Sequence, residues 1–375
     1  MRHLLAAILL ALTVGSASGG VPFFVIADSS FDRYTADPTA DDEQWMAAHY
    51  ARMLAYSPYF DSRLAWFPNA WVYTDLYALY VGSADALSHP DWILRDATGT
   101  RLYIPYACGG GTCPQYAADA GNADFRAAWI AAVRATLAAG YRGLFIDDVN
   151  LTLARVSDGN GQPVLPRDPR TGQAMTEDGW RRYMADFTAQ IRSAFPSIEI
   201  VHNPLWFVGD ADPSVQREIA AADWIMLERG VNDPGLVGGG GTYGFDAFLA
   251  HVDFIHATGR SVAYATGARG RRQREYGLAA LFLLQGGDDM LANRQGGMPG
   301  QWWTGYDVGL GSPHGGRYAW GGVLRRDFDG GFVLVNPPDA PPARVTLDTA
   351  CSDLRGRRRT SVTLRAASGA VFHRS

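Results

Sequence analysis

The chain has 375 residues, of which 47% are apolar and 19% are charged, and its formal net charge is −5. That length and composition indicate a globular protein with one large domain and room for a smaller one. A net negative charge predicts neither nucleic acid nor an anionic membrane surface as a partner. All 33 basic residues are arginine, which excludes a lysine Schiff base, a P-loop lysine and a lysine general base.

The first 19 residues have the pattern of a signal peptide. A basic residue, Arg2, precedes an apolar run over residues 4–14, and small residues surround Ala17. The apolar run is too short to cross a bilayer as a mature helix, and no second candidate follows it. The sequence therefore predicts a secreted or periplasmic protein that has no membrane partner once the signal is removed.

The three cysteines also bear on whether the protein is secreted. In an oxidising compartment Cys108 and Cys113 are spaced to close a small loop, and Cys351 is left over. A zinc site is not expected, because no histidine pair lies near these cysteines at ligand spacing.

Short apolar runs alternate with longer amphipathic ones after the signal. The strand-like runs are residues 23–30, 70–80, 101–107, 143–148, 198–203, 224–230, 261–267 and 288–293. The helical patterns are residues 41–56, 122–140, 176–195, 213–222, 245–259 and 271–285, with a poor one within 81–100. Eight such units predict an α/β fold, a (β/α)8 TIM barrel over residues 20–300. The competing doubly wound sheet lacks support, because no glycine-rich dinucleotide loop follows the first strand.

The residue pattern of the sequence changes from about residue 300. Short alternating segments such as GGFVLVNP and ARVTLD follow one another between Gly, Pro and Asp turns. This pattern predicts a small antiparallel β domain, β-sandwich-like, over residues 315–375. No Ser- or Pro-rich linker precedes it, so we expect this domain to pack on the barrel.

Polar side chains lie at the ends of the predicted strands, where a barrel of this kind carries its chemistry. They are Asp28, Asp75, Asp147, Asp148, His202, Asn203, Glu228, Arg229, Arg269 and Asn293. One such residue means little, because acids and asparagines often cap the next loop. Acids after both the fourth and the sixth strand indicate a pair that faces one cavity. We predict Asp147 and Glu228 as catalytic, and the others as substrate-binding.

Two adjacent acids, Asp147 and Asp148, end the fourth strand, and only one of them can point into a barrel. Asp147 shares its side of the strand with Phe145, and Asp148 shares the other side with Ile146. Parity alone does not choose between them. Paired carboxylates without metal ligands or a lysine indicate glycosidic chemistry, in which one acid is ionised and the other holds a proton.

The segments GLFIDDVN at 143–150, WIMLERG at 224–230 and GGFVLVNP at 330–337 resemble hypothetical glycosyl hydrolase-like family 15. The chain is more distantly similar to endo-α-1,4-polygalactosaminidases and α-galactosidases, and the resemblance covers most of residues 21–340. It implies a barrel with an acid after strand four and another after strand six. As in α-galactosidases and α-amylases, the nucleophile would be the first acid after the apolar run, Asp147, with Glu228 as acid/base. The related α-galactosidases have Asp at the second position, so the sequence departs from their pattern there.

Aromatic side chains follow the last predicted strand, in the glycine-rich loop GGMPGQWWTGYD. Flat rings stack on sugar rings, so Trp302 and Trp303 are predicted to bind the substrate. The alternative is that these rings pack in the core or between the domains.

The sequence thus predicts a secreted glycoside hydrolase that cleaves a polysaccharide or oligosaccharide by a two-carboxylate, retaining mechanism, without a cofactor or metal. One alternative is a barrel that binds carbohydrate without cleaving it. Another is a metal-dependent hydrolase, disfavoured because no His-x-His motif follows the first strand; its ligands would be Asp28, Asp147, Asp148 and His202. A glycan on the sequon at residues 150–152 would block Asp147, which favours a bacterial source. The sequence carries no signal of an oligomeric state.

Overall fold

The computed structural model describes residues 20–207 and 209–374, so the predicted signal peptide lies outside the described residues. In chain order, the first ten strands are β1 (Phe24–Ala27), β2 (Arg52–Ala55), β3 (Ala70–Asp75), β4 (Ala78–Tyr80), β5 (Gln115–Ala117), β6 (Gly143–Asp147), β7 (Glu199–His202), β8 (Trp224–Glu228), β9 (Ser261–Ala265) and β10 (Met290–Ala292). The α-helices are α1 (Asp32–Thr35), α2 (Ala40–His49), α3 (Ala84–Ser88), α4 (Ala123–Leu137), α5 (Glu177–Ala194), α6 (Pro213–Ala221), α7 (Phe245–Ala257) and α8 (Arg271–Leu284). Short 3-10 helices cover Ser29–Phe31, Asp61–Ala65, Leu153–Arg155, Gly230–Asn232, Pro299–Gln301 and Thr304–Asp307.

Eight of these strands form one parallel sheet, in the order β1-β2-β3-β6-β7-β8-β9-β10. A parallel bridge between Phe23 and Leu291 places β10 beside β1, and the N–H of Leu291 donates to the carbonyl of Pro22. The sheet therefore curves round on itself, and the predicted TIM barrel is confirmed.

Alternation along the strands divides the barrel into two apolar layers. The inward layer is formed by Phe24, Leu54, Trp71, Phe145, Val201, Trp224, Met226, Ala263, Met290 and Ala292. Their neighbours in the chain, such as Leu144 and Ile200, pack with the surrounding helices instead. Because successive side chains of a strand point to opposite faces, the parity of a strand residue tells which layer it joins.

Helix α4 shows how the outer layer forms. The side chain of Asn122 accepts a hydrogen bond from the N–H of Phe125 and caps the first turn, as a good N-cap residue does. Phe125, Trp129 and Val133 fall on one face of the helix and are buried, in the spacing of an amphipathic helix. Gly140, with φ of 109°, then lets the chain turn toward β6. No helix in the described ranges is both long and apolar enough to cross a bilayer.

The sequence pattern placed β2 wrongly, inside a predicted helix over residues 41–56. The helix in that range, α2, ends at His49, and β2 begins three residues later. A four-residue strand next to a helix shows too little alternation to be recognised. The predicted second strand, residues 70–80, therefore supplies the third strand of the barrel.

An excursion between β3 and α4 contains residues 101–107, which were wrongly predicted as the third barrel strand. Tyr103 forms an isolated antiparallel bridge with Ser157, and a disulfide joins Cys108 to Cys113. β4 and β5 pair within the excursion as a separate two-stranded sheet. The alternation of apolar and polar residues over 101–107 therefore belongs to a segment that lies over the barrel and not to one of its strands.

The C-terminal strands are β11 (Tyr318–Trp320), β12 (Val323–Phe328), β13 (Gly331–Asn336), β14 (Ala343–Asp353), β15 (Arg358–Leu364) and β16 (Ser368–Arg374). They form one antiparallel sheet, in the order β11-β12-β13-β16-β14-β15, so the predicted antiparallel β unit is confirmed. The strands belong to a single sheet rather than to two facing ones. The register of β14 against β15 shifts between Thr346 and Cys351, and such irregularities bend a sheet. One face of the sheet then encloses its own core, which includes Phe332 and Leu364.

The other face of this sheet packs on the barrel. Val333, Val335 and Val371 join the apolar cluster that contains the buried side of α8. A Cβ built on Gly369 would lie 2.7 Å from the Cβ of Ala279 in α8, so only glycine allows so close an approach at that point. The expected packing of the C-terminal strands on the barrel is confirmed.

Candidate active site

A cavity of about 560 Å³ opens at the carboxyl-terminal end of the barrel strands, where barrel enzymes carry their chemistry. Its lining residues are Ile26, Leu54, Tyr56, Tyr73, Asp75, Tyr80, Tyr106, Pro114, Gln115, Phe145, Asp147, Asp148, Arg155, Asn203, Met226 and Glu228. Five of them are residues predicted from strand ends, namely Asp75, Asp147, Asp148, Asn203 and Glu228.

Strand parity explains how three carboxylates meet in this cavity. Asp75, Asp147 and Glu228 are the last residues of β3, β6 and β8. Two residues before these acids lie Tyr73, Phe145 and Met226, which belong to the inward layer or pack against it. Side chains two residues apart on a strand point to the same face, so the three acids face inward as well. Asp75 and Asp147 are register partners on adjacent strands. The carboxyl ends of these strands therefore bring the acids to one place.

Asp147 accepts hydrogen bonds from three uncharged donors. The hydroxyl of Tyr73 donates to Oδ2 at 2.6 Å, and Nδ2 of Asn203 donates to Oδ1 at 2.9 Å. The backbone N–H of Asp148 donates to Oδ1 at 2.8 Å. Hydrogen bonds of this kind stabilise the charged form of a carboxyl group and fix its orientation.

Asn203 joins Asp147 to Glu228. Its Nδ2 atom lies 2.9 Å from Oδ1 of Asp147 and 2.9 Å from Oε1 of Glu228, and it donates to both. An amide nitrogen has two hydrogens, so both bonds form at once. The two acceptor oxygens are therefore no more than twice 2.9 Å apart. Glu228 is also exposed to solvent, so water reaches its carboxylate.

Tyr73 lies between two carboxyl groups. Its hydroxyl is 2.8 Å from Oδ1 of Asp75 and 2.6 Å from Oδ2 of Asp147. A phenol has one hydrogen to donate, so both contacts are hydrogen bonds only when one of the two carboxyl groups carries a proton. Burial raises the pKa of Asp75, and this effect exceeds the opposing one of the hydrogen bonds from Tyr73 and Tyr80. Of the two contacts of the hydroxyl, the one to Asp147 is the shorter, and the raised pKa of Asp75 favours a proton on that side of Tyr73.

Asp148 turns back into the cavity, although its strand position predicts the outward side. Its φ of 56° lies in the left-handed region, which Asp tolerates better than most residues. Its Oδ1 accepts a hydrogen bond from Nδ2 of Asn150 at 2.9 Å. Burial, with added repulsion from Asp147 and Asp75, raises the pKa of Asp148 to about 7. This carboxyl group therefore keeps its proton through the acid range.

Sequence reasoning missed Arg155 and the tyrosines of the excursion. Arg155 ends the short helix after β6, and within the described part of the chain its buried Nε has no hydrogen-bond partner. Tyr80 and Tyr106 are 52% and 66% exposed beside the cavity. The nearness of Arg155 to the fourth strand was a signal that could have found it. Tyr80 was part of the predicted strand 70–80, five residues after Asp75, whereas Tyr106 lies far in sequence from the strand ends of the cavity and no local pattern marks it.

The profile of hypothetical glycosyl hydrolase family 15 matches residues 58–332, which cover the barrel from β3 onward and the start of the C-terminal sheet. The chain belongs to this family. The protein is therefore a glycoside hydrolase, which cleaves glycosidic bonds, and its substrate is a carbohydrate. In a comparison with curated proteins, no sequence matched the chain.

Solved structures similar to this family 15 protein are themselves carbohydrate-active barrels. A noncanonic maltogenic α-amylase from Thermotoga neapolitana is 9% identical with a TM-score of 0.53, over 94% of this chain and 98% of that one. The type III pullulan hydrolase from Thermococcus kodakarensis is 10% identical with a TM-score of 0.50, over 96% and 82%. The hydrolase domain of PelA from Pseudomonas aeruginosa is 16% identical with a TM-score of 0.44, over 73% and 94%. At these identities the first two likenesses show the shared barrel fold alone.

The structure of the family 15 protein places His202 away from the cavity. His202 has the outward parity of Ile200, is fully buried, and holds Nδ1 2.6 Å from Oε1 of Glu218 in α6. This corrects the prediction of a substrate contact by His202, because the inward side belongs to the next residue, Asn203. The metal-hydrolase alternative loses its histidine for the same reason. Among the residues that the structure describes, no three His, Cys, Asp or Glu side chains are grouped to hold a metal.

Asn293, Trp302 and Trp303 are packing residues, which corrects their assignment as substrate ligands. Asn293 is buried and donates through Nδ2 to the hydroxyl of Tyr306 at 3.3 Å. The ring of Trp302 packs edge-on to Phe23 at 5.0 Å between centroids. That of Trp303 packs edge-on to Tyr306 at 4.9 Å. The glycine-rich loop folds onto the barrel, so the alternative of core packing is the one observed.

Asp28, Arg229 and Arg269 lie outside the lining of the cavity. Asp28 accepts a hydrogen bond from the N–H of Ser30 at 2.9 Å and so caps the short helix after β1. Arg229 directly follows Glu228 and is exposed, with φ of 62°. Arg269 is exposed in the loop before α8.

Proposed function

We propose that this family 15 protein is a secreted, retaining glycoside hydrolase that acts on a polysaccharide or oligosaccharide. In this proposal Asp147 is the nucleophile and Glu228 is the general acid and base. The assignment goes beyond family membership, because it names the two carboxylates, the stereochemical course and the compartment.

The observation that carries the proposal is the shared amide of Asn203. It limits the distance between the acceptor oxygens of Asp147 and Glu228 to at most twice 2.9 Å. Retaining enzymes hold their two carboxyl groups about 5–5.5 Å apart, whereas inverting enzymes hold them about 6.5–9.5 Å apart to admit a water molecule. The short separation supports retention.

The chemistry would proceed in two displacements. In the first, a carboxylate oxygen of Asp147 forms a bond to the anomeric carbon while the glycosidic C–O bond breaks, and Glu228 gives its proton to the leaving oxygen. In the second, Glu228 takes a proton from water, whose oxygen attacks the anomeric carbon and releases Asp147. The three donors on Asp147 hold its carboxyl group in a fixed orientation for attack, and the solvent exposure of Glu228 lets water reach its carboxyl group.

The remaining cavity residues suit recognition of a sugar. Tyr80 and Tyr106 offer exposed rings for stacking. Arg155 offers a donor, Nε, that no described residue uses, and a protonated Asp148 offers a further one. We propose these four residues, with Asp75, as substrate ligands. The proposal thus keeps Asp75 and Asp148 from the sequence prediction and adds three residues from the excursion and the β6 loop.

Two observations support secretion. The first 19 residues have the order of a signal peptide, basic residue first, then an apolar run, then small residues. The disulfide between Cys108 and Cys113 is the kind of bond that persists in an oxidising compartment.

The test is a screen of the purified full chain, after removal of the signal, on bacterial and plant polysaccharides, with release of reducing ends as the readout. Asp147→Asn is the inactive control, and Asp28→Asn is the matched control, since Asp28 directly follows a barrel strand and lies outside the lining of the cavity. We expect release by the wild type and by Asp28→Asn only. A wild type that binds a glycan but releases nothing on the whole panel would instead support a carbohydrate-binding barrel.

A further inference from the structure

A groove of about 450 Å³ lies between the C-terminal sheet and the beginning of α8. Its lining comes from β15 and β16 on one side and from Arg272 and Glu275 of α8 on the other. Since α8 follows the carboxyl end of β9, the groove begins near the same end of the barrel as the cavity. The two share no lining residue, so the groove is a separate site.

Arginine side chains dominate this groove. Arg357 and Arg359 share the carboxylate of Asp353, with N–O distances of 2.8 and 3.1 Å. Arg272 and Arg365 also line the groove and are exposed. Within the described residues, the guanidinium group of neither arginine forms a hydrogen bond or an ion pair, although the backbone carbonyl of Arg365 accepts one from Ser368. Four guanidinium groups therefore face two carboxyl groups, those of Asp353 and Glu275, and two of the four have no partner.

This positive groove is part of a charge asymmetry in the whole chain. Residues 343–375 contain seven arginines and two aspartates, which leaves residues 1–342 with 26 arginines and 36 acidic residues. The catalytic cavity has the opposite character, with four carboxyl groups and one guanidinium in its lining. The field of the protein therefore draws an anion to the groove and away from the cavity.

The walls of the groove carry hydroxyl groups as well as charge. Ser361, Thr363 and Ser368 all contribute to the lining. β15 is an edge strand of the sheet, so one row of its peptide groups is free to bond to a ligand. The aromatic residue of the lining, Phe372, is buried. The groove is therefore suited to hydrogen bonding and charge pairing rather than to stacking.

We propose that this groove is a second carbohydrate-binding site, for a glycan that carries carboxylate or sulfate groups, and that Arg272 and Arg365 anchor it. Guanidinium groups bind planar oxyanions through paired hydrogen bonds, and these two can do so without breaking an existing ion pair. A glycan is favoured over another polyanion because the protein acts on carbohydrate and because hydroxyl groups line the walls. Binding there tethers the enzyme to an acidic polymer while the cavity stays free.

The test measures binding of the full chain, after removal of the signal, to two acidic glycans by affinity electrophoresis at low and high salt. Polygalacturonate presents carboxylates, dextran sulfate presents sulfates, and dextran and polyglutamate serve as comparisons. The groove variant is Arg272→Gln/Arg365→Gln. The matched control is Arg344→Gln/Arg358→Gln, which removes two exposed arginines of the same sheet that lie outside the groove.

We expect at least one acidic glycan to bind at low salt and dextran not to bind. The groove variant should bind that glycan about tenfold to a hundredfold more weakly, because each lost charge-assisted contact is worth up to about tenfold. The control variant should bind like the wild type, and the glycan that binds identifies the acidic group. Equal losses in both variants, polyglutamate binding as tight as that of the glycans, or no binding of either glycan would overturn the proposal.

Discussion

Carboxyl groups at the two ends of the barrel have different hydrogen-bond donors. At the amino-terminal end, Glu199 accepts two hydrogen bonds of 2.7 Å from Arg52 and further ones from Arg142 and Trp71. Burial alone would raise the pKa of Glu199, but these donors outweigh burial and lower it. At the carboxyl-terminal end, four carboxyl groups line one cavity, and in the described ranges their hydrogen-bond donors are neutral.

The difference separates a group that stabilises the fold from groups kept for chemistry. The carboxylate of Glu199 lies between the buried Arg52 and the exposed Arg142, and removal of such a carboxylate leaves the buried cation uncompensated. Carboxyl groups crowded together with few cations raise one another's pKa, at a cost to the folded state. Perturbed acids of this kind concentrate at functional sites. Substitutions at the two ends should therefore have opposite consequences.

The largest expected effect is that of Asp147→Asn on turnover. The amide keeps the shape of the side chain but cannot attack the anomeric carbon. The rate should fall on the order of 10⁴-fold or more, as for other enzymes that lose their nucleophile, while the melting temperature changes little. Initial rates and thermal unfolding on the same preparations measure both. Turnover near that of the wild type would mean that the inward acid of β6 is structural.

The next effect is that of Glu228→Gln, which removes the proton donor. Hydrolysis of substrates with poor leaving groups should slow by about 10²–10⁴-fold, the usual contribution of general acid–base catalysis. Aryl glycosides with good leaving groups need less protonation and should react in the first displacement at close to the normal rate. Pre-steady-state rates across a leaving-group series provide the measurement. An equal loss for every leaving group would remove Glu228 from the acid role.

At the opposite end of the barrel, Glu199→Gln should lower stability rather than turnover. It leaves the buried Arg52 without its carboxylate, at a cost of about 3 kcal/mol in the free energy of unfolding. Denaturant unfolding measures this loss, and rates at low temperature should stay near normal. In the double variant Glu199→Gln/Arg52→Met no buried cation is left, so part of the stability should return. A large loss of turnover in folded Glu199→Gln would contradict the assignment of Glu199 to stability and of the cavity acids to turnover.

The smallest expected effect is the pH dependence that Asp148 gives to stability. Its pKa is about 7 in the folded chain and about 3.9 when unfolded. As the pH rises between these values, the unfolded chain releases the proton first, so the folded state loses stability until about pH 7. Asp148→Asn removes this loss, and it should stabilise the protein above pH 7 relative to its effect at pH 4. Three pKa units correspond to about 4 kcal/mol at most, and we expect on the order of 1–2 kcal/mol because the side chain is only partly buried and solvent screens it.

The control for this comparison is Asp339→Asn. Asp339 also has a positive φ, of 58°, but lies exposed in the C-terminal sheet region. Any gain from placing Asn in the left-handed region is then common to both variants. Unfolding curves from pH 4 to pH 8 should diverge for Asp148→Asn and stay parallel to the wild type for Asp339→Asn. Parallel curves for both would show that Asp148 titrates normally.

The sequence predicted the features that depend on local residue patterns better than the features that depend on contacts between distant residues. The barrel followed from alternating strands and helices, and only short or decorating segments such as β2 and residues 101–107 were misplaced. Within the site, inward parity was a local signal. It separates Asp75, Asp147, Asn203 and Glu228 from His202, once one inward residue of each strand is known. Which face of a strand points inward is fixed by packing between strands, so the sequence of one strand alone could not show it.

Long-range placement defeated the prediction elsewhere. The tryptophans at 302 and 303 carry the composition of a sugar site, yet the loop folds onto Phe23 and Tyr306. Tyr106 belongs to an excursion whose path over the barrel depends on contacts such as the bridge between Tyr103 and Ser157. Asp148 enters the cavity through a left-handed residue, a backbone choice that strand alternation does not indicate.

The account is tested most directly by trapping the sugar on Asp147. Glu228→Gln would be mixed with the glycosyl fluoride of whichever sugar the polysaccharide screen identifies, quenched in acid, digested and mapped by mass spectrometry. Fluoride leaves without a proton donor, so the first displacement should proceed, whereas the second lacks its base and should stall. We predict that one glycosyl group accumulates on the peptide that contains Asp147. Release of fluoride without any adduct, or an adduct on Asp75 or Asp148, would contradict the assignment of Asp147 as the nucleophile.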